Sequence, residues 1–445
     1  MAGKVRAQMK RLLTLLVVLI IAAGLVACNS ETSETPPAGA SAESGERPVL
    51  KIGTTFTLSG AEEAIGNDQK AAMELFLNAR DWQIGPYDVE VIVEDDAGNV
   101  ETALDRVEKL VDADNVDFLF GSHMSDVGTA IAEYAVSARV PYIIPCVAAD
   151  DLTQRGHNNL LIRTGWGASQ ATHPFGYWAY TQGLRRIAIV AVDTTLSYET
   201  AAGFRRTFEE AGGEVTAVVW TPNGAPDFVP FLAQVPRDVD AIWMNYMGDD
   251  AARALAAFRD MGFEMPILGG TALTDEHILF ELDEEAVLNG RWGTFTINQW
   301  VETDAAPHVR AFADAFYEET GRRASSFAME SYVAFQLIEA AILEAGGFAH
   351  NFPAFLEAIR ATEVITAKGR VMIDQWNNPI QDFHVRRVER IPARGELANV
   401  NVFTFPAVSQ FWLYDPEEFL VLPPYDKSFD TAAHNRLLAT LRGES

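Results

Sequence analysis

Cysteine is nearly missing from this chain: its 445 residues contain two, Cys28 and Cys146. Two thiols cannot build a disulfide framework, so a fold of this length must rest on apolar cores. Basic residues are also few, 34 against 62 acidic ones, giving a net charge of −28. That balance disfavours nucleic acid as a partner. The acids are spread along the chain and read as a solvated surface rather than a functional tail. Beyond the N-terminal segment, no apolar run approaches the ~20 residues a membrane-spanning helix needs. Catalytic signatures are missing too: there is no GxSxG elbow, no GxxxxGK phosphate loop and no GxGxxG after a strand. The eight histidines are scattered, and none pairs with another at i+3 or i+4, which leaves a helical zinc site without support. The adjacent Asp95 and Asp96 point in different directions and read as a loop or helix cap, not an acid–base pair. No enzyme, metal site or cofactor is expected.

What is present begins with a targeting segment over residues 1–28. Lys4, Arg6, Lys10 and Arg11 precede the apolar run Leu12–Leu25. The run closes on Leu25-Val26-Ala27-Cys28, which resembles the bacterial lipobox. That resemblance implies cleavage before Cys28 and a lipid on its sulfur; an ordinary signal anchor is the alternative. Asn29 rather than Asp follows, so nothing suggests retention at an inner membrane. Residues 29–48 (NSETSETPPAGASAESGERP) lack bulky apolar side chains and read as a flexible spacer. Cys146 then remains as a lone thiol, and a small core residue is its simplest role.

The stretch from Val116 to Gly156 organises the folded part. Val116–Phe120 is short, β-branched and aromatic, and stops at Gly121, as a buried parallel strand does. Ser125 and Asp126 are N-cap residue types, followed by a helical stripe of Val127, Ala130, Ile131, Tyr134 and Ala135. A second strand, Val140–Ile144, breaks at Pro145. Strand, helix, strand is a right-handed crossover that sends Gly121–Asp126 and Pro145–Asp151 to one sheet edge, where ligands bind. The same alternation runs from Leu50–Phe56 through a helix over about Gly66–Asn78, a strand Tyr87–Glu94 and a helix Val100–Asp112. It resumes at Arg186–Val192, with a helix over about Tyr198–Ala211, strands Val215–Trp220 and Ala241–Asn245, a helix Asp249–Met261 and a strand at Pro266–Leu268. This is α/β throughout, the pattern of doubly wound parallel sheets.

The strings KIGTTFTLSG, VEDDAGNVETALDRVEKLVD, FLFGSHMSD and IIPCVAADDLTQRG, with Arg163-Thr164 beyond, resemble periplasmic binding proteins of branched-chain amino acid ABC transporters. The resemblance runs from about Lys51 to Asp382. It implies a type I periplasmic binding protein: two Rossmann-like lobes joined by a three-segment hinge. The expected parts are 49–167 (lobe one), 168–296 (lobe two), 297–378 (lobe one again) and 379–445 (return to lobe two and tail). The crossings fall near Trp166–Ser169, Phe295–Asn298 and Ile373–Asp382. Extended segments in the tail, such as Val400–Phe405, are expected to pack on a lobe.

The resemblance also implies a ligand site between the lobes. Its gripping serine falls on Ser125, and its second gripping loop on Cys146, Val147 and Ala148, where Ala148 replaces a hydroxyl residue. The residue that stacks over the ligand falls on Ile65. Second-lobe contacts fall on Tyr198, on Met247 or Gly248, and on Thr271; a returning aromatic falls on Phe327. The cysteine pair of some relatives is absent, at Gly98 and Met124. In the family the position of Thr271 is acidic and pairs with an ammonium. A desolvated ammonium without a carboxylate costs several kcal/mol. An ordinary L-amino acid is therefore disfavoured unless Asp126, Asp193 or Asp249 substitutes. An aromatic or aliphatic acid, an amide or another small organic solute is expected. The implied role is solute capture outside the cytoplasm for an ABC permease and its ATPase, with membrane attachment through the lipid anchor only. A ligand sensor of the same fold, acting on a signalling receptor, is the alternative.

Overall fold

The structure is a computed structural model that describes residues 47–348, 351–392 and 395–444. The expected signal peptide, the Cys28 anchor and the spacer up to residue 46 lie outside the described residues.

The first lobe starts with β1 (Val49–Phe56), followed by α1 (Glu63–Asn78). Ile65, Ala72, Met73, Phe76 and Leu77 form the buried stripe of α1 at helical spacing. A short β2 (Gln83–Ile84) turns into β3 (Tyr87–Asp95), then come α2 (Val100–Glu108), β4 (Phe118–Gly121), α3 (Ser125–Ala138), β5 (Tyr142–Ile144) and β6 (Leu161–Arg163). These strands form one sheet in the order β2-β3-β1-β4-β5-β6, parallel except for the β2–β3 hairpin. Gly121 ends β4 at φ 116°, and a Cβ there would lie 2.4 Å from the Thr55 carbonyl oxygen. Only glycine fits that approach. One expectation needs correcting: Met124 is the N-cap of α3, and Ser125 lies inside the first turn. The Ser125 hydroxyl is thereby released from capping.

The second lobe begins with α4 (Ala168–Thr181) and β7 (Arg186–Val192), followed by α5 (Thr195–Glu210), β8 (Glu214–Thr221), β9 (Ala241–Asn245), α6 (Gly248–Asp260), β10 (Ile267–Gly269) and β11 (Thr294–Asn298). The chain then returns to lobe one with α7 (Pro307–Thr320), α8 (Ser326–Ala345) and α9 (Phe352–Ala361), and with β12 (Val364–Thr366) and β13 (Gly369–Ile373). It leaves again through β14 (Pro379–Ile391) and β15 (Glu396–Val408). The second sheet has nine strands in the order β12-β13-β14-β11-β10-β9-β7-β8, with β15 paired to β14. Residues expected as separate extended tail segments are thus one long antiparallel hairpin on the second sheet. The Phe295–Asn298 stretch lies within β11, so the chain recrosses just after it.

Helix α8 is the centre of lobe one. By length and apolar composition it could cross a membrane, which the sequence reading did not anticipate, but 72% of the qualifying stretch is buried. It is a core helix. Phe335 lies 5.7 Å from Phe76 of α1 and 5.0 Å from Phe120 of β4, ring centre to ring centre. Each fully buried side chain of this kind contributes about 1.5–3 kcal/mol. Beyond β15 the tail carries a short helix, Pro416–Val421, and α10 (Thr431–Leu441). Phe411, Phe419, Tyr425 and Phe429 form its own cluster against Ala202 of α5.

Candidate functional site

In each sheet the order of successive parallel strands switches sides, between β1 and β4 in the first and between β7 and β9 in the second. Loops leaving strands at such a point diverge and open a crevice. Here the two crevices share one cavity of about 400 Å³, lined by residues after β1, β4, β7 and β9. That size suits a small molecule.

The first-lobe wall includes His123, Met124, Ser125 and Asp126. Ser125 is 7% exposed, and its Oγ has no hydrogen-bond partner among the described residues. His123 is 4% exposed, with both ring nitrogens equally unpartnered. Burial, together with the positive charge of His277, pushes the His123 pKa down to about 3, so the ring is neutral. A buried polar group without a partner is costly, and ligand atoms would supply what these groups lack. The first-turn N–H groups of α3 open beside them.

Charge gathers on the opposite side. Asp249 and Asp250 stand in the first turn of α6, and Arg253 lies one turn on. Arg253 binds the Asp250 carboxylate and lies 3.9 Å from Asp249; the second Asp250 oxygen accepts from the Gly224 N–H at 2.9 Å. Glu62, from the loop after β1, also lines the cavity. It is the N-cap residue of α1 but makes no capping bond. Burial raises its pKa, Asp250 and Asp249 add to the rise, and His277 opposes it.

Among the residues expected at the site, Ser125 and Met247 line this cavity. Ile65, Cys146, Ala148 and Phe327 pack with Trp166 into one apolar cluster. The Phe327 ring lies 6.0 Å from His123 and 5.7 Å from His277. The Cys146 thiol donates to the Phe327 carbonyl at 3.6 Å, and burial raises its pKa. Val147 packs against Gly128, in a cluster with Val127 and Ile131. Tyr198 turns away from the cavity: its hydroxyl donates to Asp193, and it lines a groove with Asp426, Lys427 and Ser428. Thr271 also lies off the cavity wall, and its carbonyl accepts from Asn298 and Arg386 at 3.2 and 3.3 Å. Of the proposed substitute acids, Asp193 is paired with Lys427 at 2.6 Å, whereas Asp126 and Asp249 line the cavity.

Sequence reasoning missed Glu62 and the buried pair Asp275–His277. The His277 ring lies 3.2 Å from the Asp275 carboxylate, and its Nε2 has no hydrogen-bond partner among the described residues. Burial opposes the charged forms, yet the pair's own bond and attraction raise the His277 pKa and lower that of Asp275. No motif marks these residues; folding alone brings Phe327 beside them.

Residues 49–396 match a family model described as periplasmic binding protein. The chain belongs to the periplasmic binding protein family. It is 22% identical over 367 residues to Leu/Ile/Val-binding protein homolog 6 of Brucella suis biovar 1 (strain 1330), covering 80% of this chain and 92% of that one. An ABC transporter substrate-binding protein from Sphaerobacter thermophilus superposes with a TM-score of 0.76 at 28% identity, covering 81% of this chain and 99% of its own. A solute-binding protein of an ABC transporter from Rhodopseudomonas palustris BisB5, in complex with 3,4-dihydroxybenzoic acid, gives 0.75 at 23%, covering 81% and 98%. The periplasmic binding protein described here is therefore a substrate-binding protein of the ABC transporter type, working outside the cytoplasm. The family and these relatives are transport proteins rather than enzymes. Its tail after residue 396 extends past the family match.

Proposed function

We propose that this periplasmic binding protein is tethered by a lipid on Cys28, captures a small organic solute between its lobes, and delivers it to an ABC permease. The observation that carries this reading is the interlobe cavity of about 400 Å³, into which the unpartnered Ser125 hydroxyl and His123 ring open. Solute binding favours the closed arrangement of the two lobes, and the permease recognises that form. An ordinary L-amino acid is disfavoured, because Thr271 offers no carboxylate and lies off the cavity wall, although Asp126 and Asp249 on that wall are acids that could substitute. Structural neighbours in complex with benzoate, 4-hydroxybenzoate or isoleucine support the size class of the solute.

The test is a thermal-shift screen of the full chain against amino acids, aromatic and short organic acids, amides and polyamines. A ligand at about 100 times its Kd adds roughly 2.7 kcal/mol of stability. Ser125→Ala is expected to remove most of that shift without lowering the melting temperature of the free protein. If no member of the panel raises the melting temperature, solute capture is refuted. If a shift persists unchanged in Ser125→Ala, the site is misplaced. Separately, Cys28→Ser is expected to release the protein from membranes into the soluble fraction.

A further inference from the structure

We propose that the cavity selects a solute bearing a cationic nitrogen, received by the Glu62 carboxylate from the first-lobe wall. The inference rests on the binding role proposed above and names the ligand's chemical class.

The cavity wall carries more acid than base. Glu62, Asp126, Asp249 and Asp250 line the cavity, against Arg253 as the one cation among the described lining residues; the positive charge of His277 also acts on Glu62. His123 is neutral and adds no charge. Helices α1, α3, α5 and α6 present their N-termini to the same space, and each contributes about half a positive charge. Four such ends offset about two of the net three negative charges, so a negative surplus of about 1 remains. An anionic solute would enter against that surplus; a cationic one would neutralise it.

The four acids are held to different degrees. Arg253 and the Gly224 N–H hold Asp250, Arg253 also faces Asp249, and Asp126 and Asp249 sit in the first turns of α3 and α6, facing the dipoles of their own helices. Glu62 stands at the start of α1 and faces that helix's dipole, but its side chain makes no capping bond, and no side-chain hydrogen bond or ion pair holds it among the described residues. Its carboxylate reaches across to the second lobe, where a Cβ on Gly248 would lie 3.6 and 3.9 Å from its two oxygens. A charge placed at this junction touches both lobes, as a group that favours closure must. Burial already disfavours the ionised form of Glu62, and an arriving cation would restore it.

The wall also presents neutral polar groups. His123 is 4% exposed with both nitrogens unpartnered, and Ser125 is 7% exposed with an unpartnered Oγ. A neutral imidazole offers one lone pair, and a hydroxyl offers two. Both can accept from the N–H groups of a protonated amine or amidinium, and the N–H or O–H donor that each also carries serves another polar atom of the solute.

The experiment is isothermal titration of the purified full chain with benzylamine, putrescine and agmatine, set against benzoate, isovalerate and L-leucine. At least one of the three amines is expected to bind, with benzoate and isovalerate silent. Glu62→Gln keeps the shape of the side chain, and it is expected to weaken the amine tenfold or more while the melting temperature of the free protein holds. L-Leucine bound tightly and weakened tenfold by Glu62→Gln would support the amine assignment while refuting the reading that amino acids are disfavoured. Binding of benzoate or isovalerate at an affinity that Glu62→Gln leaves unchanged would overturn the inference and leave the transport role standing. Silence of all three amines and of leucine would overturn it too. Failure of the transport role is a separate result: no solute in the wider screen binds, or binding ignores Ser125→Ala.

Discussion

The buried pair Lys368–Glu330 offers the sharpest test of how lobe one is tied to its hinge. Glu330 lies on α8 with its side chain fully buried, and Lys368, in the turn between β12 and β13, is 1% exposed. The ammonium lies 2.6 and 2.8 Å from the two carboxylate oxygens and also donates to the Thr164 carbonyl at 3.1 Å, just past β6. One cation therefore joins the core helix, the β12–β13 turn and the first crossing between lobes. Lys368→Met keeps the side chain's length and removes its charge, leaving a carboxylate whose pKa burial already raises. An uncompensated buried charge of this kind costs about 3–5 kcal/mol. At about 2 °C per kcal/mol for a large chain, the melting temperature should fall by roughly 6–10 °C. A second change, Glu330→Met, should recover most of the loss, because an apolar pair of similar volume has no desolvation to offset. In the single variant Glu330 is further raised above its usual 4.5, so the defect should grow as pH rises above that value and ease below it. Thermal unfolding followed by circular dichroism at pH 5 and pH 7.5 reads both effects. A drop below about 1 kcal/mol, or a double variant no better than the single one, would refute the account of the pair.

Two further outcomes follow from contacts already described. His277 has a pKa raised above 6.5 by Asp275, so the pair's contribution is complete below that pH and fades as pH rises through the folded value. The stability gap between the wild type and His277→Gln should therefore narrow from pH 6 to pH 9 in denaturant melts, and a widening gap would contradict the assignment. Arg155, beyond β5, donates to the carbonyls of Phe419, Leu422 and Pro423 at 2.7–3.2 Å and so clasps the tail. Arg155→Ala should cost about 1–3 kcal/mol locally and speed protease cleavage between residues 409 and 430, while the lobes stay intact. An unchanged cleavage rate would show that the tail is held elsewhere.

Much of the fold is legible in the sequence for a simple reason. Parallel strands buried on both faces must be apolar along their whole length, and Arg186–Val192 or Phe118–Gly121 can be little else. The helices between them carry clean stripes, as α1 does. Ser125 was legible through the motif around it, although its place inside the first turn was not, because Ser is an ordinary cap. Glu62 was illegible: in Ala61-Glu62-Glu63 an acid at a helix start reads as a dipole partner, and what distinguishes it comes from Gly248 on the other lobe. Asp275-Glu276-His277 is visible as a string, but its meaning depends on Phe327, 50 residues later, and on the desolvation that packing imposes. The β14–β15 hairpin was read only as extended segments, since its partner strand was taken for a hinge crossing.

The return of the chain to lobe one has a consequence for how the protein is made. Arg80, just past α1, pairs at 2.6 Å with Glu339 of α8, yet the two are separated by 259 residues of sequence. Until α8 has been synthesised, the apolar face of α1 has only the first sheet to cover it, and the side of its cluster that α8 fills stays open. At roughly 5–20 residues per second, a ribosome needs about 13–50 s to bridge that interval. The first lobe is thus the earliest to emerge and the last to finish, whereas the first strands of lobe two can pair locally in the meantime. A nascent chain stalled anywhere before α8 carries an unfinished core and needs a holding chaperone. Such a fragment should be cleared by proteolysis rather than accumulate, which makes the length of export-competent chain, not its first half, the determinant of yield.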